Sequence, residues 1–292
     1  MSLETKIDLQ GMLKAGMHFG HKTSRWSPKM RPFIWGSKNK IHLIDISKTA
    51  LLLERTGMVL KELASQGGQF LFVGTKKPAQ ALVKDISTSL SMPYVINRWV
   101  GGTLSNFDQV KKAITRLLHL RDVMKKPSAL YKKKELAMIQ KDIARLEKNI
   151  GGILELEYPP AALIVVDAKK EHSAVKEASR LGIPVIAMVD TNTDPDGITL
   201  VIPSNDDSPK AIAFVLEYLQ KCIKEGVELF ADKKKAEMEA RRAAAEEAAK
   251  AKRTAAPVKA SGPAAPAKAV HVSAPKTEAA PAAQVEDVKD VK

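Results

Sequence analysis

Ala161-Ala-Leu-Ile-Val-Val-Asp167 and Pro184-Val-Ile-Ala-Met-Val-Asp190 are two continuous apolar runs rich in β-branched residues, each closed by an aspartate. Between them, residues 171–181 carry a helical pattern that stops at Gly182. Strands apolar on both faces, joined by an amphipathic helix, belong to a parallel sheet covered on both sides. The same rhythm recurs outward from this stretch. Gln69-Phe-Leu-Phe-Val73 ends at Gly74, and Pro78 then sits in the first turn of a helix to Leu90, where a proline is tolerated. Tyr94-Val-Ile96 is a short strand. His42-Leu-Ile-Asp-Ile46 is another, followed by Ser47 as N-cap of a helix that stops at Gly67-Gly68. Downstream of Ser208-Pro209, a long helix from Lys210 to Glu225 ends at Gly226. The expected fold is α/β, a doubly wound parallel sheet of about five strands.

Residues 104–150 break the rhythm. Leu136, Ile139, Ile143, Leu146 and Ile150 repeat at spacings of 3 and 4, the a/d seam of a coiled coil. Phe107, Val110, Ile114, Leu117 and Leu120 or Arg121 form a matching stripe, and Lys125-Lys126-Pro127-Ser128 separates the two. This predicts an antiparallel helical hairpin inserted in the domain, with arms of about 30 Å at 1.5 Å per residue. From about Ala231 the composition turns to Ala, Lys, Glu and Pro. Residues 233–253 suit a charged helix rich in i,i+4 pairs, and the Pro- and Ala-rich sequence after Thr254 is expected to be disordered. The division is therefore a body over 1–226 and a tail over 227–292.

Composition removes several classes. Cys222 stands alone among 292 residues, which excludes an intramolecular disulfide framework and multi-cysteine zinc or iron–sulfur sites. The longest apolar stretches run about seven residues, against the roughly 20 a membrane helix needs. MSLETKIDLQ at the start lacks the apolar core of a signal peptide, so a cytoplasmic location is expected. Net charge is +14, unevenly spread: +6 over residues 1–48, +8 over 109–150 and −5 over 151–226. Such an oriented distribution suits a basic surface facing a polyanion better than one tuned only for solubility.

An α/β fold first suggests a nucleotide enzyme. Gly74-Thr-Lys-Lys77 joins a strand to a helix whose N-terminus suits a phosphate, yet G-x-G-x-x-G and G-x-x-x-x-G-K-[ST] are both absent. Lys76 and Lys77 suit RNA phosphate equally as mobile cations. His18 and His21 have metal-ligand spacing but no nearby carboxylate or cysteine in sequence, and His119 and His172 read as surface groups. Asp190, Asp194, Asp196, Asp206 and Asp207 fall near strand C-termini, where α/β sheets place ligands. They suit a hard cation such as Mg²⁺, or turn chemistry at Asp194-Pro-Asp-Gly197 and capping at Ser204-Asn-Asp-Asp207, the preferred reading. Cys222 reads as buried and inert.

The segment from His18 to Gly36 differs from all of these. It interleaves Lys22, Arg25, Lys29 and Arg31 with Trp26, Phe33 and Trp35 and fits neither helical nor strand period, so an ordered extended loop is expected. Cations meet phosphate, and planar side chains stack on unpaired bases. Phe33 and Trp35 are expected instead to pin the loop to the domain. Asn97-Arg-Trp-Val-Gly-Gly-Thr-Leu-Ser-Asn-Phe107 repeats the theme before the hairpin.

These residues also carry a resemblance. Leu13-Lys-Ala-Gly-Met-His-Phe-Gly-His-Lys-Thr23 with Arg25-Trp26 and Pro28-Lys-Met30 closely resembles the opening of the bacterial small-subunit ribosomal protein S2 family. Ile41-His-Leu-Ile-Asp45, Phe72-Val-Gly-Thr-Lys-Lys77, Arg98-Trp-Val-Gly-Gly-Thr-Leu104 and Gly182-Ile-Pro-Val185 continue it in order. So do Asp190-Thr-Asn192, Asp194-Pro-Asp196, Ile202-Pro203 and Asn205-Asp206, and the match spans residues 9 to about 225. The resemblance implies a flavodoxin-like domain with a protruding helical hairpin and no catalytic activity; no cofactor is expected, and no metal ligand is assigned. It implies a seat between head and body of the small (30S) subunit, on small-subunit (16S) rRNA, and a part in docking ribosomal protein S1 for mRNA binding in translation. Carried over by position, the RNA-facing residues are His18, His21, Lys22, Arg25, Trp26, Lys29, Arg31, Lys76, Lys77, Arg98 and Asn106. Charge on the hairpin adds Lys111, Lys112, Arg116, Lys132, Lys133 and Lys134.

Three departures stand out. Glu157-Tyr-Pro-Pro160 replaces the family's usual Leu-Pro-Asp turn, so no role of that aspartate transfers. Gly197 replaces an apolar residue, and the tail beyond Gly226 exceeds the family core. An α/β enzyme lacks its phosphate loop here, and a free coiled-coil adaptor leaves the aromatic–basic loops unexplained.

Overall fold

The computed structural model describes residues 7–125 and 131–254. The chain runs α1 (Leu9–Ala15), β1 (Phe19–Lys22), β2 (Ile34–Lys38), β3 (Ile41–Ile44), α2 (Ile46–Ser65), β4 (Phe70–Val73), α3 (Lys77–Leu90) and β5 (Tyr94–Val95). It continues through α4 (Phe107–Lys125), α5 (Lys133–Ile150), β6 (Ala162–Val166), α6 (His172–Arg180), β7 (Val185–Val189), β8 (Leu200–Pro203) and α7 (Pro209–Thr254). Residues to Ala240 form one compact unit; the described part of a second, from Arg241, is helical to Thr254. The expected disorder beyond Thr254 lies outside the described residues.

Five strands form a parallel sheet in the order β5-β4-β6-β7-β8. The order reverses between β4 and β6, as in flavodoxin-like folds, and that switch point opens a crevice at the carboxyl ends of the two strands. Alternation along each strand sorts the core into two layers. Phe70, Phe72, Ile164, Val166, Ile186 and Met188 pack under Leu53, Leu60, Val83, Val215 and Leu219 of α2, α3 and α7. Leu71, Val73, Leu163, Val165, Val185 and Ala187 face α6 and the hairpin root, with Trp99, Leu104, Phe107, Val110 and Ile150. Each fully buried Leu, Ile or Phe side chain contributes roughly 1.5–3 kcal/mol of apolar transfer.

Five readings from sequence need correction. Residues 41–44 do not join the parallel sheet; they are the centre of a separate antiparallel sheet of order β1-β3-β2. The supposed extended loop supplies its other two strands, linked by short 3₁₀ turns over Thr23–Arg25 and Pro28–Phe33. The fifth parallel strand is instead β8, whose terminal Pro203 is tolerated at the sheet edge. The cap of α2 is Asp45, whose carboxylate accepts from the N–H groups of Ser47 and Lys48, rather than Ser47. Finally, α7 runs through Gly226. That glycine is a close-packing site: a Cβ there would lie 2.5 Å from Ala64 Cβ and from the Lys61 carbonyl oxygen of α2.

The hairpin forms where the heptads place it. Phe107, Val110, Leu117 and Ile150 are buried, while Ile114, Leu120, Leu136, Ile139, Ile143 and Leu146 are half-buried. Arg121 joins the two helices through Glu147, its Nε and Nη2 at 2.9 and 2.7 Å from Oε1. The polar break at 126–128 lies outside the described residues.

Candidate nucleic-acid interface

The loops after β4, β6, β7 and β8 converge at the carboxyl edge of the sheet, and charged side chains fill it. Lys76 Nζ lies 2.7 Å from Asp206 Oδ1, 2.6 Å from Asp207 Oδ1 and 3.4 Å from Asp167 Oδ2. Asp206 is fully buried; burial and the carboxylates of Asp167 and Asp190 push its carboxyl up, against the pull of Lys76. Burial alone would lower the Lys76 ammonium, but the hydrogen bonds to Asp206 and Asp207 outweigh it and hold its pKa well above the usual lysine value. His21, carried in from β1, places Nδ1 2.8 Å from Asp190 Oδ2 and Nε2 3.5 Å from Asp207 Oδ2. The Asp190 hydrogen bond raises its pKa despite partial burial, favouring the imidazolium. His21, Asp190, Asp206 and Asp207 offer ligand atoms within 4.8 Å of one another, yet Lys76 already supplies a cation to this nest. Asp194-Pro-Asp-Gly197 is turn chemistry, as preferred from sequence: Asp194 Oδ1 accepts from the Asp196 N–H at 3.1 Å.

The helix start after β4 is not open to a phosphate. Thr75 donates both its N–H, at 3.2 Å, and its hydroxyl to the buried Glu171 carboxylate. Burial raises the Glu171 carboxyl, the Thr75 bonds only partly opposing it. Lys170 Nζ closes the same turn by donating to the Thr75 carbonyl at 2.9 Å. A nucleotide phosphate would have to displace an internal anion.

The residues expected to face RNA therefore divide. Lys76 and His21 are held inside the nest, and His18 is half-buried, its pKa lowered by burial and its Nδ1 without a hydrogen-bond partner. Lys29 is exposed but ion-paired to Asp194, at 3.0 Å, and to Asp196. Arg116 reaches Asp142 at 3.8 Å, and Lys111 lies over the Phe107 ring. Lys22, Arg25, Trp26, Arg31, Lys77, Arg98, Asn106, Lys112, Lys132, Lys133 and Lys134 are exposed, and the cations among them have no ion-pair partner among the described residues. The rings behave differently from expectation in one case. Phe33 is half-buried against the second core layer, whereas Trp35 is 76% exposed. Cys222 is half-buried on α7 where that helix meets Gly57, and burial pushes its thiol up.

Nothing in the sequence marks Glu177 of α6, yet it organises the second basic segment. Its Oε1 accepts from Trp99 Nε1 at 3.0 Å and from the Gly102 N–H at 2.9 Å. Its Oε2 accepts from the Leu104 and Ser105 N–H groups, both at 3.1 Å, and from the Ser105 hydroxyl at 3.2 Å. One carboxylate thus ties down the turn that carries Arg98 and Asn106 and launches α4. Burial would raise its pKa, but these donors together hold it below the usual glutamate value.

Known proteins align with this whole arrangement. The family model described as Ribosomal protein S2 matches residues 12–226. A small ribosomal subunit protein uS2 of Parabacteroides distasonis is 43% identical over 241 residues, covering 82% of this chain and 85% of its own. One from Amoebophilus asiaticus is 45% identical over 235 residues, covering 80% and 74% of the two chains. A third, from Flavobacterium johnsoniae, is 43% identical over 237 residues, covering 80% and 93%. With the flavodoxin-like sheet, the inserted hairpin and the aromatic–basic segments all inside the matched region, the chain belongs to the ribosomal protein S2 family.

Proposed function

We propose that this chain is a non-catalytic structural constituent of the small ribosomal subunit, binding 16S rRNA between head and body and helping to dock ribosomal protein S1 for translation. Its body, residues 1–226, carries the RNA surface, with 227–292 as an appended tail. One observation supports this reading above the others: Lys22, Arg25, Arg31, Lys38 and Lys40, with Lys112, Lys132, Lys133 and Lys134 of the hairpin, are exposed and without an ion-pair partner among the described residues, while Lys76 and His21 at the sheet edge are held by internal carboxylates. Open Lys and Arg side chains neutralise phosphates and release counterions, so affinity falls steeply with salt. The seat between head and body and the S1 contact rest on family resemblance.

Sedimentation of cell lysate through sucrose, with the protein followed by immunoblot at low and high salt, tests the proposal. Co-sedimentation with small subunits, released as salt rises, is expected. A protein confined to the top fractions at both salts would overturn it.

A further inference from the structure

The three tryptophans have three different surroundings. Trp99 is 8% exposed and bonded to Glu177, and Trp26 packs its ring 5.1 Å from that of His42. Trp35 has no such cover. At 76% exposure it is the most exposed large apolar side chain among the described residues. Its neighbours Phe33 and Ile34 turn inward against the core, and Ser37 and Lys38, further along β2, are exposed and polar. Along β2 the ring is thus the one exposed apolar side chain, followed by polar residues that are themselves exposed.

Charge and rigidity single out the occupant. Residues 9–44 contain seven Lys and Arg and no Asp or Glu. Only Lys29 among the seven makes an ion pair among the described residues, through Asp194 and Asp196. Arg31, Lys38 and Lys40, close to Trp35 in sequence, are exposed. The supporting hairpin is well defined: Asn39 and Lys40 both adopt left-handed backbone (φ 53° and 62°), the two-residue turn whose twist suits antiparallel strands. Lys38 pairs with Ile41 across it, and the Thr23 N–H donates to the Lys40 carbonyl at 2.9 Å. A planar ring at the register shift between Ile34 and Gly36, on a hairpin that carries open cations, matches what single-stranded RNA requires, a π-face for the base and positive charge for its phosphate. A duplex keeps its bases stacked and offers that ring nothing.

We propose that Trp35 is a stacking platform for an unpaired nucleobase, with Arg31, Lys38 and Lys40 holding the adjoining phosphates. The assignment rests on the RNA-binding reading above and adds the ligand: a splayed base of single-stranded RNA.

The test uses the full chain with oligouridine and with a blunt RNA duplex as probes. Trp35→Ala is expected to weaken oligouridine binding about 10- to 100-fold, since removal of one base–aromatic stack has that scale. Duplex affinity and the salt slope should stay unchanged, and Trp35→Phe should restore most of the loss. Melting temperature should not move, because the ring is outside the core. Quenching of tryptophan emission by oligouridine should fall in Trp35→Phe, leaving only what Trp26 contributes. Unaltered oligouridine affinity in Trp35→Ala, with the wild type still binding, would overturn the platform and leave the RNA reading standing. An equal loss for oligouridine and duplex would also overturn it, by assigning Trp35 to general docking. Failure of the wild type to bind either probe would overturn both readings.

Discussion

The carboxyl edge of the parallel sheet and the three-stranded sheet β1-β3-β2 are built from the same kinds of charged residue, with opposite outcomes. At the sheet edge, Lys76 meets Asp167, Asp206 and Asp207, and Thr75 is bound to Glu171. These charges have internal partners, and their work is cohesion between β4, β6, β7 and β8. On the three-stranded sheet, Lys22, Arg25, Arg31, Lys38 and Lys40 have no carboxylate to satisfy them among the described residues. A lysine in a family motif is therefore not by that fact a ligand contact. Its partners decide, and these come from loops about 90 to 130 residues away.

Variants on the two sides should separate stability from binding. Lys76→Ala leaves buried Asp206 without its hydrogen-bonded cation, and removing one member of a buried pair costs about 3 kcal/mol or more. Urea denaturation should show that loss; a change under about 1 kcal/mol would mean the nest is not cohesive. Glu177→Ala strands four N–H donors and a hydroxyl, at an expected cost of about 2 kcal/mol. Because the folded-state pKa of Glu177 is depressed, its contribution is present above the unfolded glutamate pKa and is lost as pH falls through the folded value. The acid limb of stability should accordingly be shallower in Glu177→Gln than in the wild type.

On the open side, Arg25→Ala, Arg31→Ala or Arg98→Ala should leave unfolding within about 0.5 kcal/mol of wild type, as surface changes do. Each should lower rRNA affinity and make the salt slope shallower by about 0.7–0.9 for every phosphate it no longer neutralises. Normal incorporation of these variants into purified small subunits would remove those residues from the interface. The smallest effect belongs to Arg121→Ala in the hairpin. Its ion pair with the exposed Glu147 should contribute about 0.5 kcal/mol, read by thermal melting at low salt.

The two regions also differ in how far sequence reveals them. β4, β6 and β7 are apolar on both faces, so their runs are readable at once, and the hairpin's 3,4 spacing is equally plain. β8 hides because Thr199 and Pro203 bracket only three apolar residues. The three-stranded sheet hides because β1 and β2 mix glycine and polar residues among their apolar ones and its registers are interrupted. It is anchored from afar: His21 N–H donates to Thr191 Oγ1 at 2.9 Å, and the Ser27 N–H to the Thr191 carbonyl at 2.8 Å. The site follows the same division. Residue types and motif positions mark the basic loops, but neither shows that Lys76 is neutralised, that Glu177 clamps the turn, or that Trp35 points outward. Those facts depend on pairings distant in sequence and, for Trp35, on which face of β2 a side chain takes.

The most direct test of the division is the affinity of the full chain for small-subunit rRNA between 50 and 200 mM salt, a range over which six or more neutralised phosphates cost about 10³-fold. The comparison needs the wild type, an Arg25→Ala/Arg31→Ala variant, and Lys61→Ala, whose lysine is paired with Glu225 on the α2–α7 side. A steep wild-type slope, shallower in the double variant and unchanged in Lys61→Ala, is the predicted result. Equal slopes in all three, or no salt dependence in the wild type, would contradict it.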